Sequence, residues 1–117
     1  MTTVTCTFAG LPVTDYATAY DWYVALLGRP ADMFPHETEA VWRLTASGAM
    51  YVVEDPTRAG GGLLTVAVNE IDTQERRLRA AGLSLEERVT GDAPRRLVVT
   101  DPDGNRLTFF QDPGAAT

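Results

Sequence analysis

Near the end of the chain, Asp101-Pro102-Asp103-Gly104-Asn105 runs without a break into Arg106-Leu107-Thr108-Phe109-Phe110-Gln111. Proline presets one backbone angle, Gly and Asn tolerate positive φ, and an apolar run follows at once, so this stretch predicts a tight turn feeding a strand. In that strand Leu107 and Phe109 share one face, and Arg106, Thr108 and Phe110 share the other. One face can join a core while the other looks into open space.

The rest of the chain is punctuated in the same manner. Residues 4–13 are rich in β-branched and apolar types and predict a first strand, with Pro12 tolerated near its end. Thr14-Asp15 supply an N-cap signal, Ala19, Tyr20, Tyr23, Leu26 and Leu27 recur at helical spacing, and Gly28 marks the stop. Residues 29–39 hold two prolines and the lone histidine, and are expected to form a loop with at most a turn of structure. Residues 40–45 and 49–54 then predict a hairpin, and 55–62, with Pro56 and Gly60-Gly61-Gly62, a linker.

Beyond the linker the order of events repeats. Leu63 to Val68 predict a strand, Asp72 to Ala81 a helix ending at Gly82, and residues 83–88 and 96–100 two further strands before the closing one. Val68 falls 55 residues after Val13, and the same offset carries Asp15 onto Glu70 and Phe8 onto Leu63. The chain therefore reads as one α+β domain of two βαβββ repeats: repeat 1 at about 3–55, linker 56–62, repeat 2 at about 63–112.

This duplication, with its Asp101-Pro102-Asp103-Gly104-Asn105 turn, resembles the vicinal oxygen chelate superfamily, which includes glyoxalase I, extradiol dioxygenases, fosfomycin-modifying enzymes and bleomycin-binding proteins. The resemblance implies that the sheets of the two repeats curve into a half-barrel cup with helices outside. It implies a metal in the cup of the metal-dependent members, held by His, Gln or Glu from the first and last strands of each repeat. Carried onto this chain, those positions are Phe8, Leu63, Thr108 and, in the first repeat, Val53 or Val52. Phe, Leu and Val have no donor atom and one Thr hydroxyl is far short of a ligand set, so no metal is expected. A register slip toward Val52 would bring Glu54 into the cup.

Other chemistry has little to work with. His36-Glu37-Thr38-Glu39 reads as a solvated loop, Cys6 as a buried structural thiol without a base, and Asp101 and Asp103 as turn residues. Gly60-Gly61-Gly62 opens a strand and lacks the Lys-Ser/Thr of a phosphate-binding loop, so no cofactor is expected. What remains is a cup lined by apolar, aromatic and a few polar side chains: Phe8, Trp42, Arg43, Tyr51, Leu63, Arg106, Thr108 and Phe110, with the parity of Trp42 and Arg43 left open.

Composition narrows the partners. A net charge of −6 disfavours nucleic acid and anionic membrane, and no apolar run approaches the roughly 18 residues of a membrane span. The first residues lack the charged and apolar regions of a secretion signal, so a cytoplasmic location is expected. The acidic balance steers cationic or polar aromatic ligands slightly better than anions. The resemblance adds a homodimer that binds a small organic molecule without metal, similar to the bleomycin resistance proteins. The alternatives are a metal-free isomerase, cyclase or lyase using Arg43, Tyr51 or Glu54, and a metal-dependent lyase or dioxygenase with displaced ligands.

Overall fold

A computed structural model describes residues 2–114. Its elements run β1 (Thr7–Val13), α1 (Tyr16–Leu27), β2 (Met33–His36), β3 (Glu39–Thr45), β4 (Gly48–Glu54), β5 (Leu63–Val68), α2 (Ile71–Ala80), β6 (Glu86–Arg88), β7 (Arg96–Thr100) and β8 (Arg106–Gln111). The two βαβββ repeats form two four-stranded mixed sheets, ordered β1-β4-β3-β2 and β5-β8-β7-β6. In each repeat the first strand runs parallel to the last: β1 pairs with β4, β5 with β8.

The helices form where the caps were expected. Asp15 accepts a hydrogen bond from the Thr18 N–H at 3.3 Å, and Gly28, at φ 75°, donates to the Val24 carbonyl. The last strand of each repeat supplies a side-chain acceptor to the helix start. Glu54 Oε1 accepts from the Tyr16 N–H at 3.0 Å, and Gln111 Oε1 accepts from the Ile71 N–H at 2.8 Å. Both bonds satisfy amides left orphaned at a helix N-terminus.

One core serves both repeats. Leu11, Val13, Trp42, Met50 and Val52 from the first sheet meet Leu97, Val99, Leu107 and Phe109 from the second, with Tyr23 and Leu26 of α1 and Leu78 of α2. Asp101 is buried in this region, and Oδ1 accepts from the N–H groups of Asp103, Gly104 and Asn105 while Oδ2 accepts from Asn105 Nδ2 and the Tyr23 hydroxyl. Burial first, then the Asp101 carboxylate, pushes the Tyr23 phenol far above its ordinary range and keeps it a donor. Asn105 reaches across the repeats, donating to the Pro12 carbonyl at 2.7 Å and accepting from the Gly62 N–H at 2.7 Å.

Several expectations need correction. Residues 33–36 form a strand, not a loop: β2 is a fully exposed edge joined to β3 by two register pairs, so its Met-Phe-Pro-His sequence carries no alternation to read. The expected strand at 83–88 shrinks to Glu86–Arg88, and β1 begins at Thr7. Cys6 therefore lies ahead of the sheet and is half-buried, not buried.

Candidate functional site

Strand parity divides each sheet into a face under the helices and an open face. Leu11, Trp42, Met50 and Val52 belong to the core, so Phe8, Gly10, Val41, Arg43, Tyr51 and Val53 lie on the open face of the first sheet. On the second sheet, Leu107 and Phe109 enter the core and leave Leu63, Thr65, Val98, Arg106, Thr108 and Phe110 on the open face. Seven of the eight side chains expected to line a cup thus share the open faces.

Trp42 is the exception. It is fully buried under α1, stacks on Tyr20 with ring centroids 5.6 Å apart, and donates from Nε1 to the Arg29 carbonyl at 3.0 Å. The open parity at this strand resolves with Arg43 outward and Trp42 inward, because α1 presents the aromatic surface that a large indole needs.

The ladders also settle which residues correspond between repeats. Val13 faces Glu54 across β1 and β4, as Val68 faces Gln111 across β5 and β8. The strand pairs therefore equate Phe8 with Leu63 but Tyr51 with Thr108, so neither Val53 nor Val52 is the counterpart of Thr108. Glu54 does not enter the cup, because it lies on the helix face and bonds to the start of α1.

The positions that the resemblance assigns to a metal in the metal-dependent members would thus fall on Phe8, Tyr51, Leu63 and Thr108. Two hydrocarbon side chains, a phenol and an alcohol do not fit a divalent cation, which takes imidazole, carboxylate or thiolate. Among the described residues, no group of three or more His, Cys, Asp or Glu could hold a metal ion. His36 instead pairs with Glu39 at 2.8 Å on the edge of the first sheet.

Shape and exposure describe what the faces offer. Gly10 has no side chain, and the Tyr51 ring lies where a Cβ on Gly10 would fall, spread across β1 on the open face. Phe8 and Leu63, on the terminal strands β1 and β5, are 50% and 76% exposed. A cavity of about 440 Å³ lies between the two sheets and is lined by Phe8, Ala9, Thr45, Ala49, Thr65 and Ala67, among others. A second, of about 400 Å³, lies over the second sheet and is lined by Thr65, Thr90, Ala93, Pro94, Arg96 and Phe110. Phe8 and Phe110 thus line different cavities, and Tyr51 and Thr108 line neither of the two.

Sequence reasoning passed over Thr65 and Arg96. The signal was present in alternation: with Leu97 and Val99 assigned to the core, Arg96 must share a face with Phe110, its ladder partner.

A glyoxalase-like domain model matches residues 6–110. No curated protein matches the chain. Among solved structures, a glyoxalase/bleomycin resistance protein from Catenulispora acidiphila is 34% identical with a TM-score of 0.87, over 92% of this chain and 98% of that one. TnmS3, an antibiotic binding protein from a Streptomyces species, is 23% identical with a TM-score of 0.74, over 95% of this chain and 98% of its own. A bleomycin resistance determinant encoded on the transposon Tn5 is 15% identical with a TM-score of 0.74, over 92% and 97%. The last two likenesses speak to fold alone.

Proposed function

The chain belongs to the glyoxalase-like family of the vicinal oxygen chelate superfamily, and from that premise we propose that it is a metal-independent binder of a small organic molecule. It sequesters an antibiotic or another aromatic or polar metabolite without changing it. The observation that carries the reading is the set Phe8, Tyr51, Leu63 and Thr108 at the family's metal positions, where hydrocarbon and neutral hydroxyls replace ligands. Such a surface, apolar with a few placed polar groups, is what small-molecule sites are made of.

The binding unit is a homodimer. β5, Leu63-Leu64-Thr65-Val66-Ala67-Val68, ends its sheet without a charge, proline or bulge to protect it, and β1 ends the other sheet with Phe8 exposed. Pairing β5 of one copy with β1 of another covers both apolar edges and sets the open face of one first sheet beside the open face of the other copy's second sheet. The lone Cys6 thiol needs no oxidising compartment, which suits the cytoplasm.

A metal-free isomerase, cyclase or lyase is the second reading, favoured by the Tyr51 phenol at a former ligand position. One experiment separates the two. Ligands are found by thermal-shift screening of the metal-stripped protein, incubated with it, and recovered for mass spectrometry. We expect the ligand back unchanged, a protein that sediments at twice the chain mass, and no change in Tm on adding Ni²⁺, Zn²⁺ or Fe²⁺. Turnover would sink the binder, and a metal-dependent rise in Tm would restore the metal chemistry.

A further inference from the structure

We propose that the cavity over the second sheet is an anion subsite, taking the carboxylate of a ligand whose body is flat and apolar, with Arg96 as the anion contact and Phe110 as the wall. The inference rests on the reading of the open faces as a small-molecule site and adds the chemical class of what enters. It runs against the net charge of −6, which steers anions away, and so depends on local structure.

The local structure is an asymmetry between two neighbouring arginines. Arg95 is satisfied three times over, by Asp72 at 2.5 Å, Glu75 at 2.8 Å and Glu87 at 3.1 Å. These carboxylates anchor the end of the 89–95 segment that roofs the cavity through Thr90, Ala93 and Pro94. Arg96, one residue on, points to the opposite side of β7, and among the described residues its guanidinium has no ion-pair or hydrogen-bond partner. Asp72, Glu75 and Glu87 are committed to Arg95 and Glu86 to Arg88, and Asp92, exposed in the roof segment, makes no salt bridge to Arg96 among the described residues.

The remaining lining suits the rest of such a ligand. Phe110 sits directly across the ladder from Arg96, and Ala93, Pro94 and Thr65 complete a mainly apolar, open concavity of about 400 Å³. A guanidinium offers paired, coplanar donors that match a carboxylate, and it stacks beside an aromatic face. Arg106 shares this open face, but four residues separate it from Phe110, about 13 Å along the strand. The internal control for nonspecific attraction is Arg76, exposed on α2 away from the open faces and without a carboxylate partner among the described residues.

The test compares 1-naphthoate, its neutral isostere 1-naphthamide and the cation 1-naphthylmethylamine by calorimetry and by protein NMR. We expect naphthoate to bind about tenfold more tightly than the amide, the scale of one charge-assisted hydrogen bond. Arg96→Gln should erase that preference, Arg96→Lys should keep part of it, and Arg76→Gln should leave it within about twofold. Unchanged melting temperatures in these exposed-site variants show that folding is intact. Absence of naphthoate binding, equal binding of amide or amine, or a preference that survives Arg96→Gln would each overturn the proposal. The acid-to-amide ratio is indifferent to turnover, so it stands or falls separately from the binder reading.

Discussion

The two repeats share a skeleton and differ in what holds it. Each pairs its first strand with its last, and each lends a side chain from that last strand to the start of its helix. The first repeat packs an aromatic cluster beneath α1, where Trp42 lies against Tyr20 and Tyr23 at centroid distances of 5.6 and 6.2 Å. The second has a helix that buries only Ile71 and Leu78 and, Ala80 apart, is otherwise polar or charged, and its sheet adds to the shared core a network of hydrogen bonds around Asp101 and Asn105. Beyond the shared core, an aromatic cluster is peculiar to one half, and a polar latch is peculiar to the other and ties it to Pro12 and Tyr23 of the first and to Gly62 of the linker.

The comparison breaks most decisively at the latch. Asp101→Ala leaves the Tyr23 hydroxyl and the Asp103 and Asn105 N–H groups without their acceptor, while Gly104 keeps the Asp101 carbonyl and Asn105 Nδ2 keeps the Pro12 carbonyl, and should cost about 3–5 kcal/mol in urea denaturation. The corresponding turn of the first repeat is exposed, and Ser47→Ala should change stability by less than about 0.5 kcal/mol. Similar losses at the two turns would mean that the repeats are held alike.

The latch is also where the sequence was most legible. Asp, Pro, Gly and Asn each have few ways to be satisfied in a turn, so residues 101–105 announced their structure, and Asp15 and Gly28 announced the ends of α1. β2 was not legible, since an edge strand with Pro35 that is exposed at every position carries no periodic signal. The site was legible in composition and blurred in register. The offset of 55 holds for β1 and β5 but two more residues separate β4 from β8, because the second repeat spends a longer segment between its helix and its final hairpin. That difference moved the counterpart of Thr108 to Tyr51. The orientation of Trp42 was beyond reach for another reason: alternation yields two faces but does not say which lies under a helix until the helix is placed.

A finer test concerns the two helix starts. At α2, Glu70 makes no side-chain cap, so Gln111 alone supplies a side-chain acceptor there, and Gln111→Ala should cost about 1 kcal/mol. At α1, Asp15 shares the task, and Glu54→Ala should cost about half as much despite its charge. Equal costs, read from matched denaturation curves, would show that the carboxylate acts through the helix dipole more than through its hydrogen bond.

The smallest expected effect sits at the cavity roof. Hydrogen bonds from Arg95, then from Arg79, hold the Glu75 carboxyl below its ordinary value of 4.5. A carboxyl depressed in the folded state stabilises it fully above that ordinary value, and the contribution is lost as pH falls through the lowered one. Acidification should therefore loosen Arg95 and, with it, the segment carrying Thr90, Ala93 and Pro94, while the Trp42 cluster of the first repeat keeps its protection. Hydrogen exchange of residues 89–94 against that of β3 reads the difference directly. Arg95→Gln should show the loosened roof already at neutral pH and no further change on acidification down to the same range. A roof equally protected in the variant would mean that the second sheet's cavity is shaped by its own backbone turn, the Ala93 N–H to Thr90 carbonyl bond, and not by the charges behind it.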